Sequence, residues 1–361
     1  MRKFGFFSSK QIFFLIFFLI TPMLKANVEW SGFGSFYLTK SMNESYFIES
    51  AESTQTEFTR DSFFGLNLSS SLSDKMRANA QFVAKTETGS PNENFDLAAK
   101  WAFVTYGLNN KFYFTIGRQL IPFVLANEYA SVGFLLPYRK IPSLFTQTIP
   151  FSGFDGLALD YKVGSSHIIL YGGTANLSFS SEITDVEGTE GNVLGFTYRR
   201  SVGLLDVQLG YLHSEPDLDL TIDGVEGVQA KGNFNNYSLG LQWKRNNNLI
   251  WIEGINRVNH NEVDGGIGKT LNSAYLIYGY TMDNWMPRLT YSQSYWDLDG
   301  VDLFESAIEV GFNYKLGEQI LFKADYVLHN KLQDDNPLGA STVVGNEKSG
   351  DLVSLGVDFI F

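Results

Sequence analysis

The sequence predicts an all-β fold: a transmembrane, antiparallel, up-and-down β-barrel of about 16 strands, with one long connection folded inward. Three observations carry that reading. Segments of about ten residues alternate in polarity, as strands with one oily and one wet face must. The connections between them alternate short and long. After Ala26 no apolar run approaches the ~18 residues of a spanning helix, and a closed barrel is the other structure that satisfies its backbone in lipid.

The chain opens MRKFGFFSSK, then QIFFLIFFLI, then TPMLKA. A basic start, an apolar centre too short to span and a polar end with Ala26 at the cut predict a secretory leader, residues 1–26. Residues 27–361 are then one barrel. The formal charge is −12, and the leader holds Arg2, Lys3, Lys10 and Lys25 but no acid, so the mature chain is more acidic still. That balance opposes nucleic-acid binding, which rests on basic patches. Cys is absent, which removes disulfides, thiolate metal sites and Cys nucleophiles.

Taken in order, the first strand is expected at about Val28–Leu38, before a polar connection with Glu44, Glu49, Glu52 and Glu57. The second, about Phe58–Leu72, turns at Ser73-Asp74-Lys75 into a third, about Met76–Lys85. There Met76, Ala78, Ala80, Phe82 and Ala84 oppose Arg77, Asn79, Gln81 and Lys85. The fourth is about Asp96–Gly107 with Lys100 on its polar face, and the fifth about Phe112–Gln119. The sixth and seventh, about Gly153–Val163 and His167–Ala175, flank Gly164-Ser165-Ser166. Acidic loops with Glu182 to Glu190 and over Glu215–Asn233 flank the eighth and ninth, about Val193–Arg200 and Leu204–Ser214. The tenth to thirteenth fall at about Phe234–Arg245, Leu249–Val258, Thr270–Thr281 and Trp285–Trp296. The fourteenth sets Phe304, Ile308, Val310 and Phe312 against Glu305, Ala307, Glu309 and Asn313. The fifteenth is about Gln319–His329, and the last about Gly350–Phe361. An even strand count with short turns on one rim fits a bacterial barrel, wide enough at this size for an aqueous channel.

Residues 120–152, LIPFVLANEYASVGFLLPYRKIPSLFTQTIPFS, form the longest connection between expected strands. Loops of that length are usually functional. Phe123, Val124, Leu125, Phe134, Leu135, Leu136, Leu144 and Phe145 do not suit a loop in water, so this segment is expected to fold inside the barrel and narrow it. A Lys or Arg facing lipid at mid-depth costs ~2–4 kcal/mol, so Arg77, Lys85, Lys100 and Arg288 should line the lumen, with Glu305 and Glu309. Glu128, Arg139 and Lys140 of the inner segment are expected to face Arg77, Lys85 and Lys100 across a constriction whose charges set ion preference. Arg118 shares the phase of Phe112, Phe114 and Ile116, so it should point outward. The six Trp residues fall in strands, where interface girdles would take them.

The layout of the whole mature chain resembles the Gram-negative general porin family, trimeric and 16-stranded. Ser62-Phe63-Phe64-Gly65-Leu66, then Ala102-Phe103-Val104 through Gly117-Arg118-Gln119, are similar to its early strands. Phe361, with Phe359, Val357 and Leu355 at alternate positions, resembles the terminal signal read by barrel assembly machinery. The resemblance implies an outer-membrane homotrimer, amid lipid and lipopolysaccharide, with the third loop in the pore. It also suggests that Arg118 latches onto Glu87 or Glu93 of a neighbouring protomer. Phe63 stands where the family often has Arg, so its ladder of pore arginines is incomplete and anion selectivity does not carry over.

Other motifs carry less. Gly266-Ile267-Gly268-Lys269-Thr270 lacks the earlier Gly of a phosphate loop, with Val263 in its place. Asp297, Asp299 and Asp302 lack the later Glu of a calcium loop, so no metal or other cofactor is expected. His167, His213, His260 and His329 are scattered, and no Ser motif points at them, so no catalytic residue is expected and the chain is not read as an enzyme. The expected function is passive diffusion of small hydrophilic solutes and ions. The alternatives are a channel specific for sugars or small anions, for which Tyr129 and Tyr138 would be suitable, a non-conducting adhesin or structural barrel, and a barrel hydrolase.

Overall fold

The computed structural model describes residues 28–42, 56, 58, 61–86, 95–129, 132–146, 148, 153–175, 178–180, 184–222, 225–259, 270–297, 302–331 and 349–361. The expected leader lies outside them. The strands are β1 (Val28–Ser41), β2 (Phe63–Ser73), β3 (Met76–Thr86), β4 (Phe95–Gly107), β5 (Phe112–Leu120), β6 (Gly153–Val163), β7 (Ser166–Ala175), β8 (Ser178–Ser180) and β9 (Thr184–Val202). There follow β10 (Leu205–Ile222), β11 (Val225–Lys231), β12 (Phe234–Arg245), β13 (Asn248–Asn259), β14 (Thr270–Tyr280), β15 (Trp285–Asp297), β16 (Asp302–Leu316), β17 (Ile320–Lys331) and β18 (Ser349–Ile360). Each wall strand pairs antiparallel with its neighbours, and β1 closes the ring against β18 from Phe33↔Ile360 to Ser41↔Leu352. Sixteen strands make the wall; the short β8 and β11 extend two of the long connections.

Those extensions correct the acidic loops expected around Glu187 and over Glu215–Asn233. β10 continues to Ile222 and pairs with β9 as far as Thr184. Asp217, Leu218, Asp219, Leu220, Thr221 and Ile222 alternate in polarity, which is itself a strand pattern.

Closure follows from the alternation. On β16, Ile308, Val310 and Phe312 are exposed on the outside, while Glu305, Ala307 and Asn313 are buried on the inside. Leu97, Ile116, Leu170, Leu194 and Leu289 extend the same outer apolar surface to other strands. A surface this oily needs a lipid solvent. The seam is sealed by the last residue. Gly32 and Phe361 exchange backbone hydrogen bonds of 2.9 Å in both directions. The Phe361 ring stacks on Phe64 and Phe359 and lies over Gly32, where a Cβ would stand 2.0 Å from it.

The hydrophobic core lies inside the barrel. It joins Ile121, Phe123, Leu125, Leu136, Tyr138 and Phe145 to inward wall residues such as Phe154, Tyr171, Leu212, Trp251 and Tyr275.

Candidate functional site

The chain turns inward just after β5. Gly117 sits at φ +127°, and a Cβ there would stand 2.4 Å from the Ala102 carbonyl oxygen, so only glycine fits. From Ile121 the segment runs through short helical turns at Leu125–Tyr129, Gly133–Leu135 and Ser143–Thr146. Pro122, Pro137 and Pro142 keep these turns short, since each lacks the amide that a continuing helix needs. The apolar side chains then have one dry place to go, the inner wall. Ile121, Phe123, Ala126, Leu136, Tyr138, Leu144 and Phe145 are almost fully buried there.

Polar pins fix the segment on both sides of the lumen. Glu253 of β13, about 1% exposed, accepts four hydrogen bonds. They come from the Leu125 amide (2.8 Å), the Ala126 amide (3.0 Å), Trp251 Nε1 (2.9 Å) and Tyr275 Oη (2.5 Å). A buried carboxylate needs such donors to replace its lost hydration. Close by, Thr197 donates to the Pro122 carbonyl (2.7 Å), Ser238 to the Phe123 carbonyl (2.6 Å), and Thr148 shares a hydrogen bond with Ser273 (2.5 Å). Burial, and then the nearby Glu253 charge, push the Tyr138 phenol well above its ordinary pKa, so it stays neutral beside Tyr275.

Across the lumen Asn313 donates to the Pro137 carbonyl (2.8 Å). Lys323 donates to the carbonyls of Gly133 (2.8 Å) and Tyr138 (2.9 Å) and pairs with Asp358 at 2.7 Å. Asp358 also accepts from Ser35 (2.6 Å) and Tyr37 (3.1 Å). Gly133 presses so close that a Cβ would stand 2.5 Å from both Ser35 Oγ and Asp358 Oδ1. Arg139 ion-pairs with Asp61, to which Lys140 lies at 3.5 Å. With the packed core counted, the segment meets the wall from β6 round to β18 and β1, and among the described residues the arc these contacts leave out is β2 to β5.

A sixteen-stranded ring whose third long connection folds inward now has its counterpart in sequence. The family profile described as Gram-negative porin matches residues 16–331. The chain belongs to the Gram-negative porin family. As a porin it is an outer-membrane channel protein. Among solved structures, the fold of this porin is similar to that of the trimer form of OmpT, an outer membrane protein of Vibrio cholerae (TM-score 0.66, 12% identity, covering 93% of this chain and 99% of that one). It is similar too to an anion-selective porin from Comamonas acidovorans (TM-score 0.62, 13% identity, 93% and 100% covered). A third is the outer membrane channel DcaP of Acinetobacter baumannii (TM-score 0.62, 12% identity, 93% and 97% covered). A search among curated proteins finds no match.

The porin distributes the sequence-predicted residues unevenly. Arg77 is on the inner face at the short-turn rim, exposed and paired with Glu29 at 2.9 Å. Glu128 lies in the Leu125–Tyr129 turn, and its side chain is outside the described residues. Lys85 is exposed and stands opposite Asp96 in the ladder. Lys100 is the extra residue of a β-bulge, close enough to Lys85 for their charges to repel. Arg139 does not face this basic wall: it is buried against Asp61, because a guanidinium this far from water needs a carboxylate. Lys140 is turned to the same acid. Arg288 faces inward but touches no open water, since Glu309 and Asp325 enclose it. Glu309 is used by that pair, and Glu305 is buried.

Arg118 is on the outer face, but its partner is Asp155 of the same chain, with Nε–Oδ1 2.9 Å and Nη2–Oδ2 2.8 Å. The register places Arg118 directly opposite Asp155, so the guanidinium fork is filled locally. Glu87 and Glu93, the partners expected for it, lie outside the described residues, as do the Gly266–Lys269 stretch, Asp299 and His260. His329 is buried. Trp251 is a correction to the girdle: it faces the lumen and donates to Glu253. Trp101 also faces inward, in register with Gln81. Sequence reasoning missed Glu253 and Asp61. The available signal for Glu253 was an acid sharing strand phase with Trp251 and Ile255.

Proposed function

We propose that this porin is a passive diffusion channel for small hydrophilic solutes and ions, with the inner segment as its fixed constriction. The observation that carries the proposal is the pinning of Ile121–Thr148 across the lumen, from Glu253 on one side to Lys323 and Asp61 on the other. Solutes then pass along the β2–β5 arc, past Lys85 and Lys100. Passage needs no chemistry, and no enzymatic step is assigned. Residues 1–26 act as the export leader, and Phe361 as the signal for barrel assembly machinery. The mature protein works as a homotrimer among outer-membrane lipid and lipopolysaccharide, with the Arg118–Asp155 pair covered at the subunit interface. Single-channel recording of the purified protein across a salt gradient tests this. Stable conductance in about three coupled steps is the expected result. A folded barrel that carries no current contradicts it.

A further inference from the structure

The arc of wall left to solutes combines a cation with aromatic faces. The ladder puts Trp101 opposite Gln81, Phe103 opposite Asn79, and Phe63 opposite Lys85. Gln81 donates to Asn67 (2.8 Å), and Asn67 to Ser31 (3.3 Å). Ser31 shares the phase of Ser35, whose hydroxyl meets Asp358 beside the inner segment. That chain of contacts fixes the inner face, so all three rings look into the lumen. All three are half-buried rather than sealed. The bulge at Lys100 interrupts the alternation and brings a cation to the side of Trp101; bulges re-aim side chains in this way.

Most other inward cations have an acid against them; Arg257 instead donates to the Thr148 carbonyl (3.5 Å) and stacks on the Phe234 ring. Arg288 is held by Glu309 and Asp325, Lys323 by Asp358, Arg139 by Asp61, and Arg77 by Glu29. Lys85 is exposed and close enough to Lys100 to add its positive charge to this arc. Lys100 makes no ion pair among the described residues. Positive charge beside flat apolar rings is the complement of a carboxylate carried on a flat apolar ring.

We propose that Lys100, Trp101, Phe103 and Phe63 form a binding lane for small aromatic carboxylates within the channel. The proposal rests on the channel reading above and names its preferred solute class. Lys100 attracts the carboxylate, and the rings stack on the solute's face. A small aliphatic carboxylate would use only the charge, and an aromatic ammonium ion would be repelled.

The test is block of potassium chloride current through the reconstituted full-length barrel by benzoate, acetate and benzylammonium. Benzoate should give half-maximal block at about one tenth the acetate concentration, a ratio that one good ring contact supplies. Benzylammonium should block less than benzoate. In Trp101→Leu and in Phe103→Leu the benzoate-to-acetate ratio should fall towards one, and in Lys100→Gln both anions should weaken together. Equal block by benzoate and acetate in the wild-type channel overturns the lane and leaves the channel reading standing. So does a ratio unmoved by either ring substitution. Absence of chloride current overturns the channel reading itself, and the lane with it.

Discussion

Removing Glu253 is the sharpest way to separate the inner segment from the wall. In Glu253→Ala the barrel ladder is untouched, because the side chain belongs to the lumen. Four donors lose their acceptor at once: the Leu125 and Ala126 amides, Trp251 Nε1 and Tyr275 Oη. Tyr275 can turn to Tyr138, 3.5 Å away, which leaves three orphans. A buried orphan donor costs ~1–3 kcal/mol. Against that, the wild type carries the desolvation of a buried carboxylate, several kcal/mol, which the substitution relieves. Water entering the vacated space offsets part of the remainder. The net loss is about 3 kcal/mol, close to what breaking a buried charged network costs. It falls on the attachment of the Leu125–Tyr129 turn, not on global stability, so the detached population rises about 100-fold. The assay is single-channel current noise, with limited proteolysis as a second reading. Glu253→Ala should flicker and be cut between Leu125 and Thr148, and Glu253→Gln should fall between it and the wild type. Unchanged noise and unchanged cleavage in Glu253→Ala would refute the pinning argument.

Three further outcomes follow from the same contacts. Gly133→Val drives new atoms into Ser35 and Asp358; overpacking of this kind costs ~1–3 kcal/mol, and trypsin cleavage at Arg139 and Lys140 should quicken. Asp61→Ala strands the buried Arg139 at a cost of about 3 kcal/mol, and Asp61→Ala with Arg139→Met should recover much of it, read from the same cleavage rates. Arg118→Ala should lower the heat stability of the oligomer in detergent, as the proposed burial of that pair at the subunit interface requires, and unchanged heat stability would contradict it.

The fold was legible because lipid and water write opposite demands on alternate residues. Strand phase on β16 and β3 could be read directly, and so could the apolar excess of residues 120–152. What phase does not carry is depth and distance across the lumen. Arg77, Lys85 and Lys100 share a face in sequence, yet the ladder spreads them from one rim towards the other. Glu253 and Leu125 are 128 positions apart, and Arg139 and Asp61 lie on separate connections, so nothing local marks either pair. Trp251 was read as a girdle residue because aromatic strand positions usually face the membrane interface; here the inner segment gives it an apolar neighbour inside the barrel. The loop hairpins were missed because acidic residues mask a period of two that Leu218, Leu220 and Ile222 still keep.

On the proposed path, solutes travel along the β2–β5 wall while the inner segment seals the opposite side. The chain has no cysteine, so single introduced thiols report cleanly. Asn79→Cys lies on the open arc, and Ser273→Cys lies buried behind the segment against Thr148. A charged thiol reagent added during single-channel recording should step the current down in Asn79→Cys and leave Ser273→Cys unaffected. Block at Ser273→Cys with none at Asn79→Cys would place the aqueous path on the other side of the segment and contradict the claim.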